Sequence, residues 1–220
     1  MAAVRLLIAD DHEIVRRGLR TVLEARQGWV VAAEASDGRE ALEKAEEVNP
    51  HVTILDISMP SMNGLEAARQ IKARVPETKI LVLSVHDSDP LIQKVLETGA
   101  RGYLLKSDAA RDLVAAVEAL LCNKTFFTRR VEQVVLDGYL GKTGVQGDDG
   151  REVDALRLTA RQREIVQLLA EGKSSKEVAT ELEISVKTAE THRANIMRRL
   201  ECHSVTELVR YAVRNHIIEA

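Results

Sequence analysis

Four apolar runs in the first half of the chain each end on a polar residue: VRLLIA before Asp10-Asp11, HVTIL before Asp56, KILVL before Ser84 and GYLL before Lys106. Their apolar residues are continuous rather than alternating, which predicts strands covered by other elements on both faces. Between them lie amphipathic stretches, HEIVRRGLRTVLEAR, DGREALEKAEEV, GLEAARQIKAR, DPLIQKVLETG and DAARDLVAAVEALL, whose apolar positions recur at helical spacing.

Strand and helix alternate five times, which predicts an α/β domain with a doubly wound parallel sheet, (βα)5, in the flavodoxin-like strand order 2-1-3-4-5. Parallel strands deliver their carboxyl ends to one edge, where ligands bind, so the four polar positions converge there. Gly64 and Gly102 are expected at turns, and Pro60 stiffens the loop after Asp56.

From Phe126 to Leu140 a helical pattern is expected to extend away from the sheet, and GKTGVQGDDGREVDA, with four glycines and no periodicity, is expected to be a linker. Beyond it, Thr159 with Gln162 and Ser174 with Glu177 form capping boxes, and Gly172 ends the first of these helices. Ile184-Ser185 turns the chain into VKTAETHRANIMRRL, and a further helix follows Ser204. Short helices joined by tight turns predict a small all-α helix-turn-helix domain. Ala189, Ile196 and Leu200 share one face of the third helix, leaving Lys187, Thr188, Thr191, Asn195 and Arg198 outward, groups suited to phosphates and base edges. The expected division is 1–124, an interdomain segment at 125–156, and 157–220.

The chemistry of the strand ends narrows the function. Three carboxylates side by side repel one another, and a divalent cation with hard oxygen ligands, Mg²⁺, removes that cost. A lysine and a hydroxyl at the same spot suit an incoming phosphoryl oxygen, and one carboxylate can then be the nucleophile. Taken singly, Asp10-Asp11 reads equally well as a helix N-cap pair, and Lys106 as a solvated strand end.

A hydrophobic content of 45% and a charged content of 30% fit a soluble globular protein, and no apolar run is long enough to span a bilayer. The N-terminus enters a strand at once and lacks a secretory signal's layout, so a cytoplasmic location without membrane contact is expected. Cys122 and Cys202 have no metal-ligand spacing and read as reduced thiols. Residues 1–124 carry 16 basic and 19 acidic side chains, whereas 157–220 carry 11 and 9, so only the last segment is net basic.

The order DD, LDISMPSMNG, VLSVHD, GARGYLLKS resembles the receiver domain of two-component response regulators. LTARQRE, EGKSSKEVA, ISVKTAETHRANI and VTELVRYAVRN resemble the LuxR-type helix-turn-helix of the NarL/FixJ family. The resemblance implies that Asp56 is phosphorylated by a sensor histidine kinase. It implies that Asp10, Asp11, Asp56 and the backbone carbonyl of Ser58 bind Mg²⁺. Lys106 would pair with the phosphoryl group, Ser84 would donate to it, and Tyr103 would turn inward when Ser84 moves. Ser107 stands where many receivers have proline. The expected DNA contacts are Ser175, Lys176, Lys187, Thr188, Glu190, Thr191, Asn195 and Arg198, with Glu190 facing a cytosine amino group or acting against wrong bases. The last helix, with Leu208, Val209, Ala212 and Val213, is expected to be core and in part a dimer interface.

The expected function is a transcription regulator in which phosphorylation of Asp56 controls homodimerisation and sequence-specific binding to repeated half-sites in double-stranded DNA, rather than an enzyme acting on an external substrate. Two other readings use the same features: a receiver-gated protein-interaction module without DNA readout, and a Mg²⁺-dependent phosphohydrolase.

Overall fold

A computed structural model of the chain describes residues 3–86, 88–128, 131 and 158–218. The chain separates into two compact units, Met1–Gly144 and Val145–Ala220. The glycine-rich stretch and all but a few residues of the expected helix over 126–140 lie outside the described residues.

In the first unit β1 (Val4–Ala9), β2 (Trp29–Ala35), β3 (Val52–Asp56), β4 (Lys79–Ser84) and β5 (Gly102–Leu105) form one sheet in the order β2-β1-β3-β4-β5, every pairing parallel. They alternate with α1 (Glu13–Glu24), α2 (Gly38–Val48), α3 (Gly64–Arg74), α4 (Asp89–Glu97) and α5 (Ala109–Leu121), as the apolar runs predict. The unbroken apolarity has a direct cause, since successive side chains enter opposite cores. Leu7, Leu55, Val82 and Tyr103 pack with Ala41, Leu65, Ile71 and Ile92 of α2, α3 and α4. Their neighbours Leu6, Ile54, Leu81 and Leu104 pack with Leu23 of α1 and Leu113, Val117 and Leu120 of α5.

Three expectations are corrected. Gly64 is the first residue of α3 and Gly102 the first of β5, not turn residues. A Cβ on Gly64 would lie 1.9 Å from the Asp56 carbonyl oxygen, so backbone packing excludes a side chain there, and one on Gly102 would lie 2.6 Å from Leu81 Cδ1 and require that side chain to shift. Asp10-Asp11 does not cap α1: His12 occupies the N-cap position and makes no side-chain cap bond. Phe126 does not begin a helix leading away; it forms a parallel bridge with Gly102 on the sheet edge. Its amide and carbonyl find partners there that a departing helix would not supply.

The second unit contains α6 (Ala160–Ala170), α7 (Ser175–Glu181), α8 (Val186–Arg199) and α9 (Val205–Arg214). Each starts on a hydroxyl cap: Thr159 and Ser174 in complete capping boxes, and Ser185 and Ser204 accepting from the Thr188 and Glu207 amides. Gly172 follows α6 at φ +92, the left-handed conformation that glycine adopts without strain. Ile165, Leu168, Val178, Ala189, Ile196, Leu208 and Ala212 form its core.

Candidate functional site

The sheet brings the strand ends together. Asp10 follows β1, Asp56 closes β3, Ser84 closes β4, and Lys106 opens a single 3-10 turn after β5. Register places Asp56 beside Leu83 and Ser84 beside Leu105, so neighbouring strands end level at this edge. Asp10, Asp56 and Ser84 are almost wholly withdrawn from solvent. The Lys106 ammonium reaches across the edge, with Nζ 2.8 Å from Asp10 Oδ2 and 2.9 Å from Asp56 Oδ2. It thus bridges residues 96 and 50 positions away in sequence.

Burial pushes the Asp56 carboxyl above its ordinary value; Lys106 pulls it down, the Asp10 charge adds to the rise, and the Ser58 amide lowers it. Burial alone would depress Lys106, but its hydrogen bonds to Asp10 and Asp56 outweigh this and raise its pKa. The pocket therefore contains negative charge that one ammonium compensates incompletely. Hard carboxylate oxygens with excess negative charge are a donor set that suits a small divalent cation.

Asp11 stands at the mouth, partly exposed, with Oδ1 2.7 Å from His12 Nδ1. Atoms of Asp10, Asp11 and His12 capable of holding a metal lie within 4.8 Å of one another. Ser58 lies half-buried in the loop after β3. This loop turns tightly, with the Gly64 amide donating to the Ile57 carbonyl at 2.9 Å.

Ser84 and Tyr103 meet on a group that side-chain patterns do not reveal. Ser84 Oγ donates to the His86 carbonyl at 2.8 Å and accepts from the His86 amide at 3.0 Å, and the Tyr103 hydroxyl donates to the same carbonyl. The Tyr103 ring is fully buried. Arg16 is a second residue that sequence reasoning missed: Nη1 donates to the Asp10 carbonyl at 2.7 Å, fixing the end of β1. Its place one turn into an amphipathic helix carries no signal of that role.

In the second unit α8 presents Lys187, Thr188, Glu190, Thr191, Asn195 and Arg198 to solvent, while Ala189 and Ile196 face the core. Lys176 on α7 is exposed and Ser175 half-buried, with Arg193 Nη1 3.5 Å from Ser175 Oγ. Arg198 Nη2 donates to Asn195 Oδ1 at 2.9 Å, pairing two of the expected contacts. Arg199 instead turns back to Gln162 of α6 at 3.4 Å. In α9, Leu208 and Ala212 are buried and Val209 and Val213 half-buried. Among the described residues no helix is long and apolar enough to cross a membrane.

Residues 6–118 match the response regulator receiver domain, and 156–212 match the luxR family of bacterial regulatory proteins. The transcriptional regulatory protein LiaR of Bacillus subtilis is 37% identical over 98% of this chain and 99% of its own length. The oxygen regulatory protein NreC of Staphylococcus haemolyticus is 35% identical over 98% of this chain and 100% of its own. Among solved structures, the RcsB response regulator of Salmonella typhimurium superposes with a TM-score of 0.60 at 27% identity, covering 98% of this chain and 99% of its own. An RcsB–DNA complex superposes at 0.57 and 28% identity, covering 97% and 98%. With the receiver match on the unit that carries the strand-end acidic pocket, the luxR-family match on the unit of capped helices, and relatives that align nearly end to end, the chain belongs to the NarL/FixJ family of response regulators.

Proposed function

We propose that this protein is a phosphorylation-gated transcription regulator whose phosphoacceptor is Asp56 and whose donor is a sensor histidine kinase. The observation that carries the reading is the buried Asp56 carboxylate, held within 2.9 Å of Lys106 and repelled by Asp10. An Asp56 oxygen attacks the phosphorus of the kinase's phosphohistidine. The P–O bond forms as the P–N bond breaks, and the imidazole leaves with the electron pair. Lys106 then pairs with a phosphoryl oxygen and Ser84 donates to another. Asp10, Asp11, Asp56 and the Ser58 carbonyl would hold Mg²⁺, which supplies neutralisation of the charge developing on the phosphoryl oxygens.

The output is DNA. Lys176, Lys187, Asn195 and Arg198 hold phosphates, while Glu190 and Thr191 at the exposed face of α8 read base edges, with Ser175 and Thr188 fixing the helix at the backbone. The pairing of Arg198 with Asn195 supports a shared phosphate contact. Two copies, associating partly through α9, read two half-sites, as suits a symmetric dimer. Such a protein works in the cytoplasm. In this reading residues 1–124 act as input and residues 157–220 as output, joined by 125–156.

Incubation with a small phosphodonor and Mg²⁺ is expected to add one phosphate by intact mass. Asp56→Asn is expected to abolish the gain, and retained labelling would show the nucleophile to be misassigned. The phosphorylated full chain is expected to bind promoter DNA with strong salt dependence. Arg198→Ala is expected to weaken binding to all sequences by about 1 kcal/mol or more and to flatten the salt slope by about one unit. Glu190→Gln is expected to change the selected sequence instead. A binding-site selection with the opposite pattern would overturn these two roles.

A further inference from the structure

The ladders that join β1 to its neighbours stop at Ala9, opposite Ala35 on β2 and Leu55 on β3, so the Asp10 carbonyl lies one residue beyond the register. Arg16 supplies its partner, Nη1 donating at 2.7 Å from the first turn of α1. Any donor, water included, would satisfy a strand-end carbonyl, so satisfaction alone does not account for a guanidinium at this place. A fixed cation beside a cation pocket opposes metal binding by Coulomb repulsion, and any favourable influence of Arg16 on the pocket must therefore be geometric. The guanidinium is itself anchored. Its side chain is only 16% exposed and its Nε faces Glu34 Oε2 at 3.6 Å. Glu34 is held in turn by Arg20 Nη1 at 2.9 Å and, at its backbone carbonyl, by the Lys44 ammonium. Glu34 thus offsets the charge of Arg16 and fixes where it points.

The carbonyl that Arg16 holds belongs to the peptide joining Asp10 to Asp11. That peptide is planar, so fixing its oxygen fixes the direction in which the Asp11 backbone leaves β1. The two carboxylates differ in what else restrains them. Asp10 is wholly buried, with Oδ2 on Lys106 at 2.8 Å and Oδ1 accepting from the His12 amide at 2.9 Å. Asp11 stands at the mouth against the His12 imidazole, which is itself 65% exposed, so its placement leans on the backbone. Mg²⁺ tolerates little departure from octahedral geometry, and the ligand placed chiefly by backbone direction is the one that a looser backbone would misplace. We propose that Arg16 is a positioning residue of the Mg²⁺ site: it holds the Asp10–Asp11 peptide so that the Asp11 carboxylate faces the metal, with Glu34 compensating its charge. This rests on the reading of Asp10 and Asp11 as metal ligands. The role is exerted through Asp11 and not on the phosphoryl group.

Calorimetric titration of the full chain with Mg²⁺ tests this, because repulsion and positioning predict opposite signs. Arg16→Met keeps a long unbranched stem and loses both donor and charge. It is expected to bind Mg²⁺ about tenfold more weakly than wild type, although removal of a cation would by itself tighten binding. Arg16→Ala is a second variant of the same kind, and urea midpoints without Mg²⁺ establish that each is folded. Arg16→Lys, which keeps a donor on a flexible stem, is expected to stay within about threefold of wild type. In an Asp11→Asn background Arg16→Met is expected to change the affinity by less than about twofold, since both substitutions act on one group. At saturating Mg²⁺ the Arg16→Met chain is expected to take up phosphate from a small donor at the wild-type rate. Equal or tighter Mg²⁺ binding by Arg16→Met overturns the positioning role and leaves the metal reading standing. A loss of about tenfold that persists in the Asp11→Asn background does the same. No saturable Mg²⁺ binding by the wild-type chain defeats the metal reading, and the positioning role with it.

Discussion

Lys106→Ala is expected to destabilise the receiver unit by about 3 kcal/mol at neutral pH, because it strips the buried Asp10 and Asp56 carboxylates of the cation 2.8 and 2.9 Å away. The cost lies in the uncompensated charges left behind rather than in the ion pair itself. Its pH dependence has a definite sign. Burial already raises the Asp56 carboxyl, and loss of Lys106 removes an influence that lowers it. The folded variant then binds a proton more tightly than the unfolded chain, so its stability falls as pH rises from the ordinary carboxylate range through the raised value. The deficit is therefore largest at neutral and alkaline pH and shrinks in acid. Millimolar Mg²⁺ is expected to restore part of it, by binding the folded form alone. Asp56→Asn, which removes a buried charge while Lys106 keeps Asp10, is expected to leave stability unchanged or raise it. Urea titration followed by Trp29, the single tryptophan, checks all of this in one unit, because that residue lies in β2. A Lys106→Ala midpoint equal to wild type at every pH would show that the pocket is solvated and the pair weak.

Gly64→Ala is expected to be as severe for a different reason. The new Cβ would sit 1.9 Å from the Asp56 carbonyl oxygen and 2.8 Å from its carbonyl carbon, and these are backbone atoms with no rotamer to yield. Either α3 or the end of β3 must move, at about 3 kcal/mol. Helix propensity points the other way, since alanine is favoured over glycine within a helix by about 1 kcal/mol. The sign of the measured change therefore tells contact from propensity. Displacement of the Asp56 backbone should also slow phosphate incorporation from a small donor, whereas Gly18→Ala in α1, with nothing near its would-be Cβ, should be stable and fully labelled. A stable Gly64→Ala variant would mean that α3 does not approach Asp56 so closely.

The parallel sheet, the four strand ends and the capping boxes were legible because each is written in local chemistry. Continuous apolar runs such as KILVL have one comfortable place, between two layers of helices, and Leu81 and Val82 do enter opposite cores. Ser174 with Glu177 caps α7 through atoms three residues apart, so nothing distant can alter the reading. The outward face of α8 followed from helical spacing in the same way.

Backbone groups and close approaches were not legible. The meeting of Ser84 and Tyr103 on the His86 carbonyl, and the grip of Arg16 on the Asp10 carbonyl, use acceptors that every residue possesses. Gly64 and Gly102 read as turn residues because sequence reports that a side chain is missing, not what occupies its space. Phe126 and Phe127 followed a helical pattern, yet an unpaired β5 edge and an apolar cluster draw this segment back to the sheet.

The sequence by itself thus determined which elements form and which charged groups reach one sheet edge, since hydrophobic period and chain order suffice for both. Only the tertiary structure decided how Lys106 divides itself between Asp10 and Asp56, where α3 must carry no side chain, and where the chain goes after α5. Those outcomes depend on distances of a few tenths of an ångström between atoms far apart in sequence, and no local preference encodes them.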